Sequence, residues 1–367
     1  MSPEAKSNKM NNTVNKNIST DLLKELEAKH LHHFIGCGNE LGIVPLTLAA
    51  YPCENDSWKS DRDLRELLAN WGKKIESDSI MVLTGDPTKL TEQGYHVAMT
   101  VFEPCGSDDN KERNLPGGLS TMCGNGVRAV AAYVREFDPS LTEILVQTGS
   151  GLLKIQYEPQ TDLYVVEMGE FTSKESDLSA YVNTKEASPN IFHRYIDAPI
   201  PESVLGKLSK YISAKTWSIG LNGNRDNGHI DGEPHLVIEV TSEEAPDIEA
   251  LRKIAVAVGP LTTKNSGLFP QEINTNFIVF NGKVGREGNT FSILNSTHER
   301  NLGDDADHSV TEACGTGSTV AAGVIMEKYM TGPNKSVIVK NRGGDLTISP
   351  DPNLPKGLLM KGDAKRV

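Results

Sequence analysis

Long apolar runs are missing from this chain. Nothing in its 367 residues approaches the roughly 18 consecutive apolar positions that a membrane-spanning helix needs. A surplus of positive charge is missing too. The chain has 37 Lys and Arg against 49 Asp and Glu, a formal net charge of -12. No basic stripe offsets that balance, which argues against nucleic acid or an anionic membrane as a partner. Cysteines number five, with no Cys-x-x-Cys pair, so neither a clustered zinc site nor a disulfide framework is expected. Met1 to Asn17 is rich in Asn, Lys and Ser and lacks the apolar centre of a secretory signal. Reduced thiols in a cytoplasm follow as the expectation.

What is present is a repeated design. Ser120-Thr-Met-Cys-Gly-Asn-Gly-Val-Arg-Ala-Val-Ala-Ala-Tyr-Val134 places a cysteine just before a helix whose Val127, Val130, Ala131 and Val134 recur at helical spacing. Thr311-Glu-Ala-Cys-Gly-Thr-Gly-Ser-Thr-Val-Ala-Ala-Gly-Val-Ile325 does the same far downstream. A chain that builds this element twice reads as a duplicated domain with one cysteine on each side of something.

The rest of the pattern fits many short strands around those two helices. Thr20 or Asp21 caps a short helix over 21–29, and Asp61 to Trp71 reads as an amphipathic helix. Strands are expected at 80–83, 97–102, 143–148, 152–157, 163–168, 236–240, 277–280, 290–294, 337–340, 346–348 and 358–361. Residues 171–215 carry no clear pattern. The expected divisions are an N-terminal extension over 1–31, a first lobe over 32–150 completed by 357–367, and a second lobe over 151–356. A helix as apolar as 315–330 is best buried, so the strands should wrap it.

A helix N-terminus offers unpaired N–H groups and partial positive charge. A cysteine there should have a lowered pKa, and the N–H groups should bind a carboxylate. Two such sites facing one cleft would put a sulfur on each side of the carbon next to that carboxylate. One thiolate could remove a proton and the opposite thiol return one, inverting a stereocentre. Either motif alone reads more simply as a buried, inert cysteine. A regulatory disulfide between Cys123 and Cys314 is the other use of such a pair.

The motifs resemble those of the diaminopimelate epimerase family, the amino-acid epimerases and racemases that work without pyridoxal phosphate. The resemblance rests on His33-Phe-Ile-Gly-Cys-Gly-Asn39, Met122-Cys-Gly-Asn-Gly126, Gly232-Glu-Pro-His235, Phe269-Pro-Gln-Glu-Ile-Asn274, His298-Glu-Arg300 and Ala313-Cys-Gly-Thr-Gly317, in that order. It implies an α+β fold of two pseudo-symmetric lobes. Each would be a mixed, barrel-like sheet around a central helix, with the active site in the cleft between them. It implies Cys123 and Cys314 as the acid and base, supported by His235, Glu299 and Asp108. Gly124, Asn125, Gly315 and Thr316 would hold the reacting carboxylate. Asn39 and Glu299 would meet the reacting amino-acid end, and Asn274 and Arg300 the far end. No metal or organic cofactor is implied. The expected partner is a small amino-acid substrate, with neither nucleic acid nor membrane and with a homodimer left open.

The chain departs from the family where the far end is bound. Glu103 and Glu233 stand where the family usually has Asn, and Asp78-Ser79 replaces an Asp-Gln pair. Two carboxylates there would favour a distal ammonium and repel a distal carboxylate unless Arg300 offsets them. Inversion of LL-diaminopimelate to the meso form, for lysine synthesis, is therefore the leading expectation. A racemase of histidine, lysine or arginine is the alternative, and a non-catalytic amino-acid-binding protein a third.

Overall fold

The computed structural model describes residues 32–46, 57–107, 115–182, 217–226, 229–240, 246–263, 269–284, 290–300, 302, 307–330 and 335–367. The helix expected over 21–29, Asp108 and most of 301–306 lie outside these residues.

The first half opens with the hairpin β1 (His32–Gly36) and β2 (Asn39–Pro45). Helix α1 (Arg62–Lys74) then crosses to β3 (Ser79–Thr84), parallel to β2. Strand β4 (Val97–Ser107) returns antiparallel, and β5 (Pro116–Ser120) folds back on it. Helix α2 (Gly124–Phe137) leads to β6 (Glu143–Thr148), parallel to β4. Strands β7 (Gly151–Glu158) and β8 (Leu163–Thr172) follow antiparallel.

The second half repeats this order. The hairpin β9 (Trp217–Asp226) and β10 (His229–Glu239) comes first. Helix α3 (Ile248–Thr263) crosses to the parallel β11 (Asn274–Val284), and β12 (Thr290–His298) returns. Helix α4 (Gly315–Tyr329) crosses to the parallel β13 (Ser336–Asn341). Then come β14 (Gly344–Pro350), β15 (Gly357–Gly362) and the two-residue β16 (Lys365–Arg366).

Strands β8 to β15 close on themselves, because β15 pairs with β8 as well as β14. Helix α4 touches all eight strands of this mixed barrel. Around α2 the order runs β16-β1-β2-β3-β4-β6-β7-β8, so the last strands of the chain serve both lobes. The two pseudo-symmetric lobes expected from the resemblance are present.

Composition explains which helices go inside. Every residue of α4 from Gly315 to Met326 is buried, as suits a helix apolar on all sides. The outer helices are amphipathic instead. Helix α1 is capped by Asp61, which accepts from the Leu64 N–H at 3.1 Å, and it buries Leu64, Leu68 and Trp71 in a cluster of its own. Helix α3 covers a third cluster with Leu251, Ile254 and Val258.

Several elements escaped the sequence reading, among them β2, β5, α3 and β9. Helix α3 contains Gly259-Pro260, which punctuates the pattern, yet packing against β11 and β12 carries the helix through. Strand β9 is rich in the turn formers Asn222, Gly223 and Asn224, but it pairs with β10 in unbroken register. Among the described residues no helix is long and apolar enough to cross a membrane.

Candidate active site

Both cysteines are helix N-caps in the same extended backbone state, Cys123 at φ -133, ψ 115 and Cys314 at φ -105, ψ 117. Each sulfur takes the place of the usual capping oxygen. Cys123 Sγ accepts from the Gly126 N–H at 3.3 Å and Cys314 Sγ from the Gly317 N–H at 3.4 Å. The two helix ends abut. A Cβ on Gly124 would lie 3.2 Å from the Cα of Gly315, and one on Gly315 would lie 3.0 Å from the Cα of Gly124. A Cβ at either position would crowd the opposing backbone, so glycine at both favours that approach.

Side chains of the first lobe fix the second cysteine. Asn39 Nδ2 and Asn125 Nδ2 both donate to the carbonyl of Ala313, at 2.6 and 2.7 Å. Asn125 is held in turn by Arg128, whose Nη2 donates to Asn125 Oδ1 at 2.8 Å. The first-turn N–H groups of Gly124, Asn125, Gly315 and Thr316 have no carbonyl acceptor within their helices, and they point the same partial charge into one space. That arrangement can grip a carboxylate from two sides.

One cavity gathers nearly every residue singled out above: Asn39, Glu103, Cys123, Gly124, Asn125, Glu233, Asn274, Glu299, Arg300, Cys314, Gly315 and Thr316. His235 lies behind it, fully buried. Asp108 lies outside the described residues. The cavity adds Asp78 and Ser79, noted above only as a departure from the family's Asp-Gln pair, and Ser120 and Thr311, to which the sequence reading gave no role. A signal for two of them exists, since Ser120 and Thr311 each stand three residues before a cysteine.

The thiols do not behave as expected from helix ends alone. Burial, and then the Glu103 charge, push the Cys123 thiol up to about 12. Burial, and then Glu299, push Cys314 well above the ordinary thiol range. The capping N–H groups pull the other way and lose. Both sulfurs are therefore held as neutral thiols, and the expectation of a lowered pKa is corrected. All four cysteines among the described residues are free, so no bond joins Cys123 to Cys314.

The carboxyls around them are also raised above the ordinary carboxylate range, chiefly by burial. Glu103 rises to about 7 despite accepting from Ser79 Oγ at 2.7 Å and Ser120 Oγ at 3.2 Å. Asp78 rises to about 6 while accepting from the Glu40 N–H at 2.9 Å. Glu299 is raised as well; it accepts from Thr311 Oγ1 at 2.6 Å and from the Cys314 thiol.

His235 acts through a neighbour. Asn276 Oδ1 accepts from Thr297, so its Nδ2 faces His235 Nδ1 at 3.1 Å. The imidazole is neutral, because burial lowers its pKa to about 3. Its remaining proton then sits on Nε2, which reaches Thr316 Oγ1 at 3.1 Å. That leaves the Thr316 hydroxyl proton for Cys314 Sγ, 3.4 Å away.

Arg300 is already occupied. Its Nη2 donates to Glu233 Oε2 at 2.7 Å and its Nη1 to the Gln271 carbonyl at 2.8 Å. Its backbone N–H donates to Asn274 Oδ1 at 2.8 Å. Glu233 is thus tied to Arg300 and Glu103 to two serines, and both carboxylates line the same cavity.

No family model matches the chain. Curated relatives do. The chain is 29% identical over 266 residues to a diaminopimelate epimerase of Agathobacter rectalis, covering 69% of this chain and 76% of that one. It is 29% identical over 263 residues to the enzyme of the same name from Methanothermobacter thermautotrophicus, covering 69% and 74%. In fold it is similar to a hydroxyproline epimerase from Agrobacterium vitis, with a TM-score of 0.53 at 13% identity, covering 92% and 88%. It is similar also to a phenazine biosynthesis protein of the PhzF family from Bacillus anthracis, with a TM-score of 0.50 at 12% identity, covering 92% and 96%.

Proposed function

We propose that this chain, which belongs with the diaminopimelate epimerases and is an isomerase, inverts the α-carbon of an amino acid with two opposed thiols. The observation that carries the reading is the meeting of two cysteine-capped helix ends in one cavity. The substrate carboxylate sits on the N–H groups of Gly124, Asn125, Gly315 and Thr316. Its α-ammonium meets Glu299 and Asn39 Oδ1, a buried acceptor with no hydrogen-bond partner among the described residues. One sulfur takes the α-proton, the other delivers a proton to the opposite face, and the roles reverse for the return direction. The arriving ammonium cancels carboxylate charge beside the thiols, which lets one of them ionise. Thr316, set by His235, offers its hydroxyl to the Cys314 thiolate.

The test is α-deuterium wash-in from deuterated water, read by mass spectrometry. Cys123→Ala and Cys314→Ala should each lower inversion by about 10²- to 10⁴-fold. Near wild-type inversion in either variant would overturn the two-base reading.

The names of the relatives support LL-diaminopimelate as substrate, with the meso form as product for lysine synthesis. One observation favours a second reading, a racemase of histidine, lysine or arginine. The guanidinium of Arg300, which would receive a distal carboxylate, is bonded to Glu233. Glu233→Asn should free Arg300 and move the ratio of rates toward diaminopimelate. An unchanged ratio would remove the second reading.

A further inference from the structure

The two cysteine sites share more than their helices. In the first lobe, Val101 of β4 pairs with Ser120 of β5, so Ser120 lies opposite the position two residues before Glu103. In the second, His298 pairs with Val310, and the Glu299 N–H donates to the Ser309 carbonyl at 2.8 Å. Continuing that antiparallel register puts Thr311 opposite Thr297, again two residues before a glutamate. Each hydroxyl stands three residues before its cysteine. Each donates to the glutamate of its own lobe, Ser120 Oγ to Glu103 at 3.2 Å and Thr311 Oγ1 to Glu299 at 2.6 Å. Both glutamates line the one cavity, and Glu103 is only 8% exposed. Among the described residues neither has a salt-bridge partner.

We propose that Glu103 is the first-lobe counterpart of Glu299: it faces the substrate α-ammonium from the Cys123 side and holds Cys123 protonated until that ammonium arrives. The proposal rests on the epimerase reading for the identity of the cation. Its physical content is Coulombic. A buried carboxylate beside a thiol opposes thiolate formation, and a cation seated against the carboxylate removes the opposition. Ser79, which donates to the other oxygen of Glu103 at 2.7 Å, fixes the carboxyl on this side of the cavity. The charged or titratable groups facing Glu103 are Asp78, beside Ser79 on β3, Glu299 across the cavity and Cys123 itself. The only cation lining the cavity among the described residues is Arg300, and Glu233 holds it. In this arrangement Glu103 acts on both the substrate cation and Cys123, and the two matched glutamates keep both sulfurs unreactive until that cation binds.

The experiment is iodoacetamide labelling of the ligand-free full chain at about pH 8, above the range where Glu103 titrates, with each cysteine peptide followed by mass spectrometry. Glu103→Gln should speed labelling of Cys123 by about tenfold or more and leave Cys314 within about twofold. Glu299→Gln should speed labelling of Cys314 more than that of Cys123, on which Glu299 also acts though less than Glu103, and Glu103→Asp should restore slow labelling of Cys123. Unchanged labelling of Cys123 in Glu103→Gln overturns the proposal, and so does an equal rise at both cysteines, which marks a loosened fold. The readout needs no turnover. Wash-in on the same proteins tests the epimerase reading separately, and wild-type protein that exchanges no amino acid would remove the α-ammonium assignment whatever the labelling shows.

Discussion

A carboxyl that is buried with hydroxyls and no cation keeps its proton to higher pH than one in water, and this ties stability to pH. Asp78 and Glu103 sit at about 6 and about 7 in the fold, above their ordinary 3.8 and 4.5, chiefly through burial. A raised carboxyl favours the fold while it is protonated. Its contribution is complete below the unfolded value and is lost as pH rises through the folded value. The ligand-free protein should therefore lose melting temperature between about pH 4 and about pH 7, and Glu103→Gln, which cannot ionise, should lose less of it over that window. Differential scanning fluorimetry across the window checks this, and parallel slopes for the two proteins would count against it. This behaviour was not legible in the sequence. Glu103 stood out there as a departure from the family, but its neighbours Ser79 and Ser120 come from two other strands. The same holds for the thiols. Their place at helix starts could be read from Cys-Gly-x-Gly, whereas the burial that reverses the expected shift depends on the other lobe.

Helix α2 shows how an element carries the site. Its Arg128 is fully buried and bonded at every nitrogen. Nε donates to the Asp363 carbonyl at 3.0 Å, Nη1 to the Gly124 carbonyl at 3.2 Å, and Nη2 to Asn125 Oδ1 at 2.8 Å and Cys37 Sγ at 3.4 Å. Through Asn125 it reaches the Ala313 carbonyl, and so the loop of Cys314. A charge buried among neutral acceptors is costly to replace, since each carbonyl it leaves is stranded. Arg128→Met should lower stability by about 3 kcal/mol or more, read from urea unfolding. Arg128→Lys keeps the charge but not the fork, so at temperatures where it stays folded it should lower turnover more than substrate binding. Equal loss of both would assign Arg128 to stability alone. The helix was legible from Val127, Val130, Ala131 and Val134, but Arg128 interrupts that pattern and its partners lie at residues 37, 124, 125 and 363. Helix α3 was not legible at all, because Gly259-Pro260 reads as a stop and only the sheet beneath supplies the reason to continue.

At the scale of the whole molecule, one apolar core runs through both lobes. The cluster that holds Val127, Val130 and Val134 of α2 also holds Val320, Ala321 and Ile325 of α4. Met360 of β15 joins them at the meeting point. It is fully buried, its sulfur lies 3.2 Å from where a Cβ on Gly315 would be, and Arg128 Nη1 lies 3.6 Å from that sulfur. The segment that carries Met360 closes the second barrel through β8, and its continuation pairs with β1 of the first lobe. The duplication was legible from the repeated motif, and the need to wrap two apolar helices followed from it. The C-terminal segment was expected with the first lobe, but its closure of the second barrel through β8 was not legible, because pairings across hundreds of residues leave no local trace. A core continuous across the lobes should unfold as one unit. Trp58 and Trp71 report on the first half and Trp217 on the second, so fluorescence and circular dichroism should trace a single coincident urea transition. Met360→Ala removes side-chain volume where the two helix ends meet and should cost about 2–5 kcal/mol. If the lobes are one cooperative unit, that loss moves both probes together. If Met360→Ala splits the transition, the lobes have separate stabilities, and the alignment of the two sulfurs rests on the Asn39 and Asn125 bonds to Ala313 rather than on a common core.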